Sequence, residues 1–305
     1  MSGLHILWFR QDLRVHDHAP LKAACLAADR DGGRILPLFV FGKGAQASQF
    51  LVESLRDLEA ALDQRAAALH FRQGDPVSVL SDLHRAHNVL SLYVHETSSV
   101  IAEDRAVEAW CLRAGIALRA YPQFGPEQMT GKTNNSQRGW DEFMASPRHE
   151  APPEFRSADV GVGHRPSRAP SSVESAMADQ GGRKAAIEVL RGMLGRVSEL
   201  GQVGADDPLR SENYFEQILP YLELGSLSIR ETWQAAVTAR NQYLAAGQDI
   251  RAMRVTELIQ KLPSFYWARV GSFSGASVAS SIERARHDVS TDGQLSLDLD
   301  HTGTG

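Results

Sequence analysis

The chain has little cysteine and no long apolar run, and each absence removes a class of protein. Cys25 and Cys111 are the only cysteines in 305 residues. They lie far apart, each inside an expected helix, which gives neither a disulfide framework nor thiolate metal spacing, so both read as buried thiols. No apolar run reaches the roughly 18 residues of a membrane-spanning helix, and Trp8-Phe9-Arg10 breaks the opening apolar stretch before it resembles a leader. A protein that stays in the cytoplasm is the expectation. The 11 histidines contain no H-x-x-x-H or H-E-x-x-H pattern, so no metal centre is expected. No G-x-G-x-x-G follows an apolar run and no P-loop occurs, which argues against a Rossmann-type dinucleotide site. A net charge of −5 argues against whole-surface affinity for nucleic acid. At 43% hydrophobic and 23% charged, the composition is that of an ordinary globular protein, and the length suggests two domains.

What is present begins with Leu4 to Ala24. Leu4, Ile6, Leu7, Trp8 and Phe9 form an apolar run of strand length, followed by a charged loop and an apolar-periodic helix over Ala19–Ala28. Asp17 stands where the helix N-cap is expected. Arg10 and Arg14 are expected to brace the loop by pairing with Asp12 and Asp17. In parallel α/β sheets ligands sit beyond the carboxyl ends of the strands, so the Arg10 to His18 loop is the first place to look for one.

The alternation continues. Apolar runs at Ile35–Phe41, Leu69–Gln73, Val89–His95 and Ala117–Tyr121 read as strands, and the segments 50–67, 76–87 and 101–114 as helices between them. Asp75-Pro76 is a helix start, and Gly115 a helix stop. The pattern implies a five-stranded doubly wound parallel sheet, Rossmann-like in class, with right-handed crossovers. The chain from Pro122 to Pro147 looks irregular. Residues 148–180, rich in Pro, Ser and Gly, read as a linker. Gly181-Gly182 opens a helical segment with Ala186, Val189, Leu190, Met193 and Leu194 spaced for one buried face, Ser228 to Glu231 is a capping box, and a further helix is expected over Ile250–Leu262. The Ser, Gly and Asp-rich stretch 271–305 reads as a disordered tail. The expected organisation is an α/β domain at 1–147, a linker at 148–180, a partial all-α domain at 181–270 and the tail.

Trp8, Phe9, Arg10, Asp12, Leu13, Arg14 and Asp17 together resemble the N-terminal signature of the photolyase/cryptochrome family, W-F-R-x-D-L-R followed by D. EDRAVEAW at Glu103–Trp110, Gly181-Gly182, and LIQKL at Leu258–Leu262 resemble later family segments, so the likeness runs from about Leu4 to Leu262. It implies an α/β domain that holds an antenna chromophore of unknown kind, with Glu96 either a chromophore contact or a solvated loop carboxylate. It further implies a helical domain that binds FAD and acts, under light, on pyrimidine dimers in damaged DNA.

The family's FAD-phosphate turn, S-R-L-S-P-x-L, falls on Glu216 to Leu222, with Gly225, Leu227 and Ser228 matching the G-x-L-S that follows. Where the family has Ser, Arg and Ser, this chain has Glu216, Gln217 and Leu219, with Tyr221 in the same turn. A carboxylate against a diphosphate costs about 1 to 4 kcal/mol in partly screened surroundings. FAD binding is therefore expected to be weak or absent. Two readings follow: light-dependent, FAD-linked repair of DNA, or a non-catalytic truncated paralogue, or frameshifted product, acting as a binding module. Trp233 and Trp267 do not match the family's electron-relay positions, and Trp233 reads as core. Arg251, Arg254, Lys261 and Arg269 read as solvated helix faces.

Overall fold

A computed structural model describes residues 3–42, 47–96, 101–123, 134–166, 180–196 and 211–270. Five strands, β1 (Leu4–Phe9), β2 (Arg34–Phe41), β3 (His70–Gln73), β4 (Val89–His95) and β5 (Ala117–Tyr121), form one sheet in the order β3-β2-β1-β4-β5. Every pairing is parallel. Helices α1 (Ala19–Asp31), α2 (Gln49–Asp63), α3 (Pro76–Ala86) and α4 (Ile101–Ala114) fill the crossovers.

The central strand is buried along its whole length because both faces are covered. Leu7 and Phe9 point to a core with Leu21 and Ala24 of α1 and Leu55, Leu58 and Leu62 of α2. Ile6 and Trp8 point to the opposite core, with Leu80 and Leu83 of α3 and Val107 and Trp110 of α4. One apolar run thus serves two cores.

Past the sheet come α5 (Asn134–Ala145), α6 (Arg183–Arg196), α7 (Ser211–Glu223), α8 (Ile229–Ala245) and α9 (Asp249–Val270). They share a third core of Trp140, Met144, Ala186, Leu190, Ile218, Tyr221, Leu222, Leu227 and Leu262, against which Trp233 packs half-buried. All these elements belong to one compact unit ending at Ser274. The expected disordered tail lies outside the described residues, as do residues 167–179 of the expected linker and the side chain of Trp267.

Local differences from expectation have physical causes. Helix α5 occupies part of the stretch read as irregular, anchored by Trp140 and Met144 in the third core. Helix α9 continues through Pro263, and α7 contains Pro220. An interior proline costs about 3 kcal/mol, and buried neighbours on both sides, Leu262 with Phe265 and Ile218 with Tyr221, hold each helix together. Residues 149–163 run along the sheet's β3 side. Ile35 N–H donates to Arg156 O and Ala158 N–H to Ile35 O (2.7 and 2.8 Å), while Phe71 N–H donates to Val162 O (2.7 Å). This strap covers backbone groups that the four-residue β3 leaves unpaired.

Helix α6 begins against α2. The first amides, Gly181, Gly182 and Arg183, donate to Glu53 Oε2, Ser54 Oγ and Asp57 Oδ2 at 2.8, 2.9 and 2.8 Å. A Cβ at Gly181 would sit 2.1 Å from Phe50 O, so glycine is required for this approach.

Candidate functional site at the carboxyl edge of the sheet

The strand order reverses between β1 and β4, where open α/β sheets bind ligands. The loop after β1 and the end of β4 meet there. Asp12 is the hub. Its Oδ1 accepts Arg10 N–H at 2.7 Å, and its Oδ2 lies 2.8 Å from His95 Nδ1 and 2.9 Å from His18 Nε2. All three side chains are buried.

The ring protons follow from the helix start. His18, not Asp17, is the N-cap of α1, and its Nδ1 accepts Leu21 N–H at 3.1 Å. Its proton must then be on Nε2, facing Asp12, although that N–H is not well aligned with the carboxylate. Burial works to raise the Asp12 carboxyl, but the two imidazoles hold it well below the usual carboxylate range. Burial pushes His18 down, and burial together with neighbouring His18 pushes His95 down to about 3. One carboxylate and two neutral rings result at neutral pH.

These three residues also form the one potential metal-ligating group found among the described residues, with donor atoms within 4.8 Å of one another. The tautomer argues against that use. A cation on His18 Nε2 would need the proton on Nδ1, which would then oppose the Leu21 N–H.

Arg10 finds its partner in α4, as an ion pair with Asp104, and donates to His95 O. Its guanidinium lies 4.6 Å from the Trp8 ring centre. The indole Nε1 of Trp8, Nε of Arg10 and Oε1 of Gln123 are buried with no hydrogen-bond partner among the described residues. Burial raises the neighbouring Glu103 carboxyl, Arg10 partly opposes this, and Asp104 adds to the rise. Glu96 sits half-buried just past β4, its N–H donating to Tyr121 O at 2.9 Å. Ser98, Ser99 and Val100 lie outside the described residues.

The other half of the loop faces the helices. Arg14 donates to the Asp17 carbonyl at 3.1 Å and to Gly225 O at 2.9 Å, and Leu13 N–H donates to Leu224 O at 3.0 Å. The Asp17 carboxylate accepts from Ser228 Oγ, from both Nε and a terminal nitrogen of Arg230, and from His149 N–H. Burial would raise Asp17, and Arg230, Ser228 and Arg14 bring it down to about 2. The expected Arg10–Asp12 and Arg14–Asp17 side-chain pairs are replaced by partners far away in sequence, which no local spacing reveals. Arg183 and Glu231 add a bidentate pair, both contacts 2.7 Å.

Residues 5–130 match the family model described as DNA photolyase. Over those residues the chain is similar to the photolyase/cryptochrome family. Its sequence is 31% identical over 139 residues to a cryptochrome DASH of Oryza sativa, covering 41% of this chain and 23% of that protein. It is 29% identical over 131 residues to a cryptochrome DASH of Gloeobacter violaceus, covering 38% and 25%. The alignments thus span about a quarter of the curated relatives' length. Two solved structures share the fold: a Synechocystis cryptochrome, with TM-score 0.68 and 21% identity over 90% of this chain and 62% of that one, and a class III photolyase from Agrobacterium tumefaciens, with 0.63 and 20% over 93% and 65%. Among the described residues, no helix is long and apolar enough to cross a membrane.

The stretch matched to the family's FAD-phosphate turn lies within α7. Glu216 is exposed, and Gln217 and Leu219 are half-buried. Tyr221 is buried, donating its hydroxyl to Gln180 O at 2.8 Å, with Phe50 against its ring at 5.0 Å. Of Glu216, Gln217 and Leu219 only the glutamine can donate a hydrogen bond, and the first is an anion. These residues do not fit a diphosphate.

Sequence reasoning located the loop and the Gly225 to Ser228 frame but missed His18, His95, His149 and Arg230. For Arg230 a signal existed: it lies two residues past Ser228, inside the retained frame.

Proposed function

We propose that this chain is a photolyase/cryptochrome-family binding protein that holds its ligand at the carboxyl edge of the sheet and does not itself perform FAD-driven DNA repair. The observation that carries this reading is how one motif has divided. Its docking half is intact: Gly225 closes on the loop so tightly that a Cβ would meet Gln11 O at 2.2 Å, and Ser228 and Arg230 hold Asp17. Its cofactor half carries Glu216, Gln217 and Leu219 in place of diphosphate donors. The helices are kept as a support for the edge, where three buried polar atoms without a hydrogen-bond partner among the described residues mark room for polar recognition.

The alternative is the family reading, light-dependent repair of pyrimidine dimers in DNA with bound FAD, favoured by the fold shared with the class III photolyase over 93% of this chain. One preparation separates the two. Purified protein is expected to be colourless, to take up no added FAD, and to leave a dimer-containing oligonucleotide unrepaired under blue light. Stoichiometric flavin absorption with light-dependent repair would establish the alternative.

A further inference from the structure

We infer that the Gln11–His18 loop is a two-state element through which docking of the helices sets the shape of the carboxyl-edge site. This inference is about regulation of the site proposed above. One short segment alternates its attachments. Asp12 and His18 build the edge cluster, while Leu13, Arg14 and Asp17 bind Leu224, Gly225, Ser228 and Arg230. Of residues 12–18 only His16 is exposed, so the loop is clamped between the two parts and neither set of contacts can move without the other.

The bistable part is the backbone of Asp17. It takes a φ of 48°, the left-handed region that L-residues other than Asn and Asp rarely enter. Within the loop Arg14 donates to the Asp17 carbonyl, and the Asp17 carboxylate is held from outside it, by Ser228 and Arg230 of the helical part and His149 of the strap. If Ser228 and Arg230 withdraw, Asp17 can relax to a negative φ. The next residue is His18, the cap of α1 and one of the two imidazoles on Asp12. Relaxation at 17 swings that ring out of the cluster. Asp12 then holds Arg10 N–H and His95 with one partner fewer, and Arg10, tied to His95 O, keeps its ion pair with Asp104 as its remaining anchor over Trp8. Docked helices therefore mean an ordered edge site, and undocked helices a loosened one.

The test compares two substitutions that remove the same carboxylate and differ only in backbone freedom. Asp17→Gly keeps φ > 0 at no steric cost, whereas Asp17→Ala does not. The 305-residue chain, labelled with 15N-histidine, is followed by the ring nitrogens of His18 and His95, with Arg230→Gln as a third variant that leaves Asp17 in place. Asp17→Gly, which loses the grip of Ser228 and Arg230 but can still take φ > 0, is expected to stay nearer the wild-type tautomer pattern than Asp17→Ala. Asp17→Ala and Arg230→Gln are expected to shift both rings toward free imidazole, with His95 taking up a proton at higher pH than in the wild type. Should Asp17→Ala fail to fold, the Arg230→Gln spectrum decides. Equal spectra for the Gly and Ala variants, or unchanged rings in a folded Arg230→Gln variant, would overturn the inference. None of these readouts involves flavin, so flavin in the wild type would remove the proposed function and leave the loop to be judged on its histidine spectra.

Discussion

Replacing Asp17 by asparagine isolates the electrostatic part of the seam, because asparagine keeps the shape and tolerates the left-handed backbone. In the folded chain the carboxyl sits at about 2, down from 3.8. At about 1.36 kcal/mol per pKa step, that difference of roughly 1.8 corresponds to about 2.4 kcal/mol. Asp17 is mostly buried, so little of this is lost to solvent screening. Breaking a buried pair from one side costs about 3 to 5 kcal/mol, and the asparagine oxygen still accepts from Arg230. A loss of about 2 to 3 kcal/mol is expected near neutral pH. A group whose folded value is depressed contributes stability above its unfolded value and loses it as pH falls through the folded one. The wild-type excess over Asp17→Asn should therefore be constant above pH 5 or so, shrink below about 4, and vanish only below about 2. Urea denaturation of both proteins across that range measures it. Asp12 weakens both in parallel and drops out of the difference. A neutral-pH loss under about 0.5 kcal/mol, or a difference that does not narrow on acidification, would refute the reasoning.

Gly225→Ala is expected to lose about 2 to 4 kcal/mol, measured as a lower urea midpoint, since φ is +67° and the new methyl meets the Gln11 carbonyl at 2.2 Å. Combining Glu216→Ser, Gln217→Arg and Leu219→Ser should not produce FAD binding in a fluorescence titration, because the inward face of α7 is filled by Ile218, Tyr221 and Leu222; tight binding would show that the lost donors were the whole deficit. Cys111 is buried as expected and Cys25 only half-buried, and desolvation pushes both thiols up to about 12, so native protein should resist iodoacetamide at pH 8 or so, with labelling followed by mass spectrometry. Rapid alkylation of either thiol in the folded chain would contradict that burial.

The sheet was legible because each strand is one apolar run between turn residues, and periodicity within such a run is a local property. Strand order was not, since β4 returning beside β1 is settled by packing. The edge cluster shows the same division. The loop drew attention through Arg10, Asp12, Arg14 and Asp17, yet three of these side chains find charged or ring partners elsewhere, Arg10 in α4, Asp12 at the end of β4 and Asp17 in α8, while Arg14 divides its bonds between the Asp17 carbonyl and Gly225 O. Opposite charges two to four residues apart invited a pairing that the folded loop does not use. His18 capping α1 in place of Asp17 shows the limit of cap preferences. Aspartate is the better cap in isolation, but Asp17 is drawn off by Arg230.

The start of α6 has a consequence for the order of events during synthesis. Its first amides are satisfied by Glu53, Ser54 and Asp57, side chains of a helix made more than a hundred residues earlier. Forming a first helical turn is the unfavourable step, and here its stabilising groups are supplied by α2. Residues of α2 and of all five strands are synthesised before Gly181, so the surface on which α6 would nucleate can be in place when it emerges. A fragment beginning at Gln180 would have the sequence of these helices without the template that starts them.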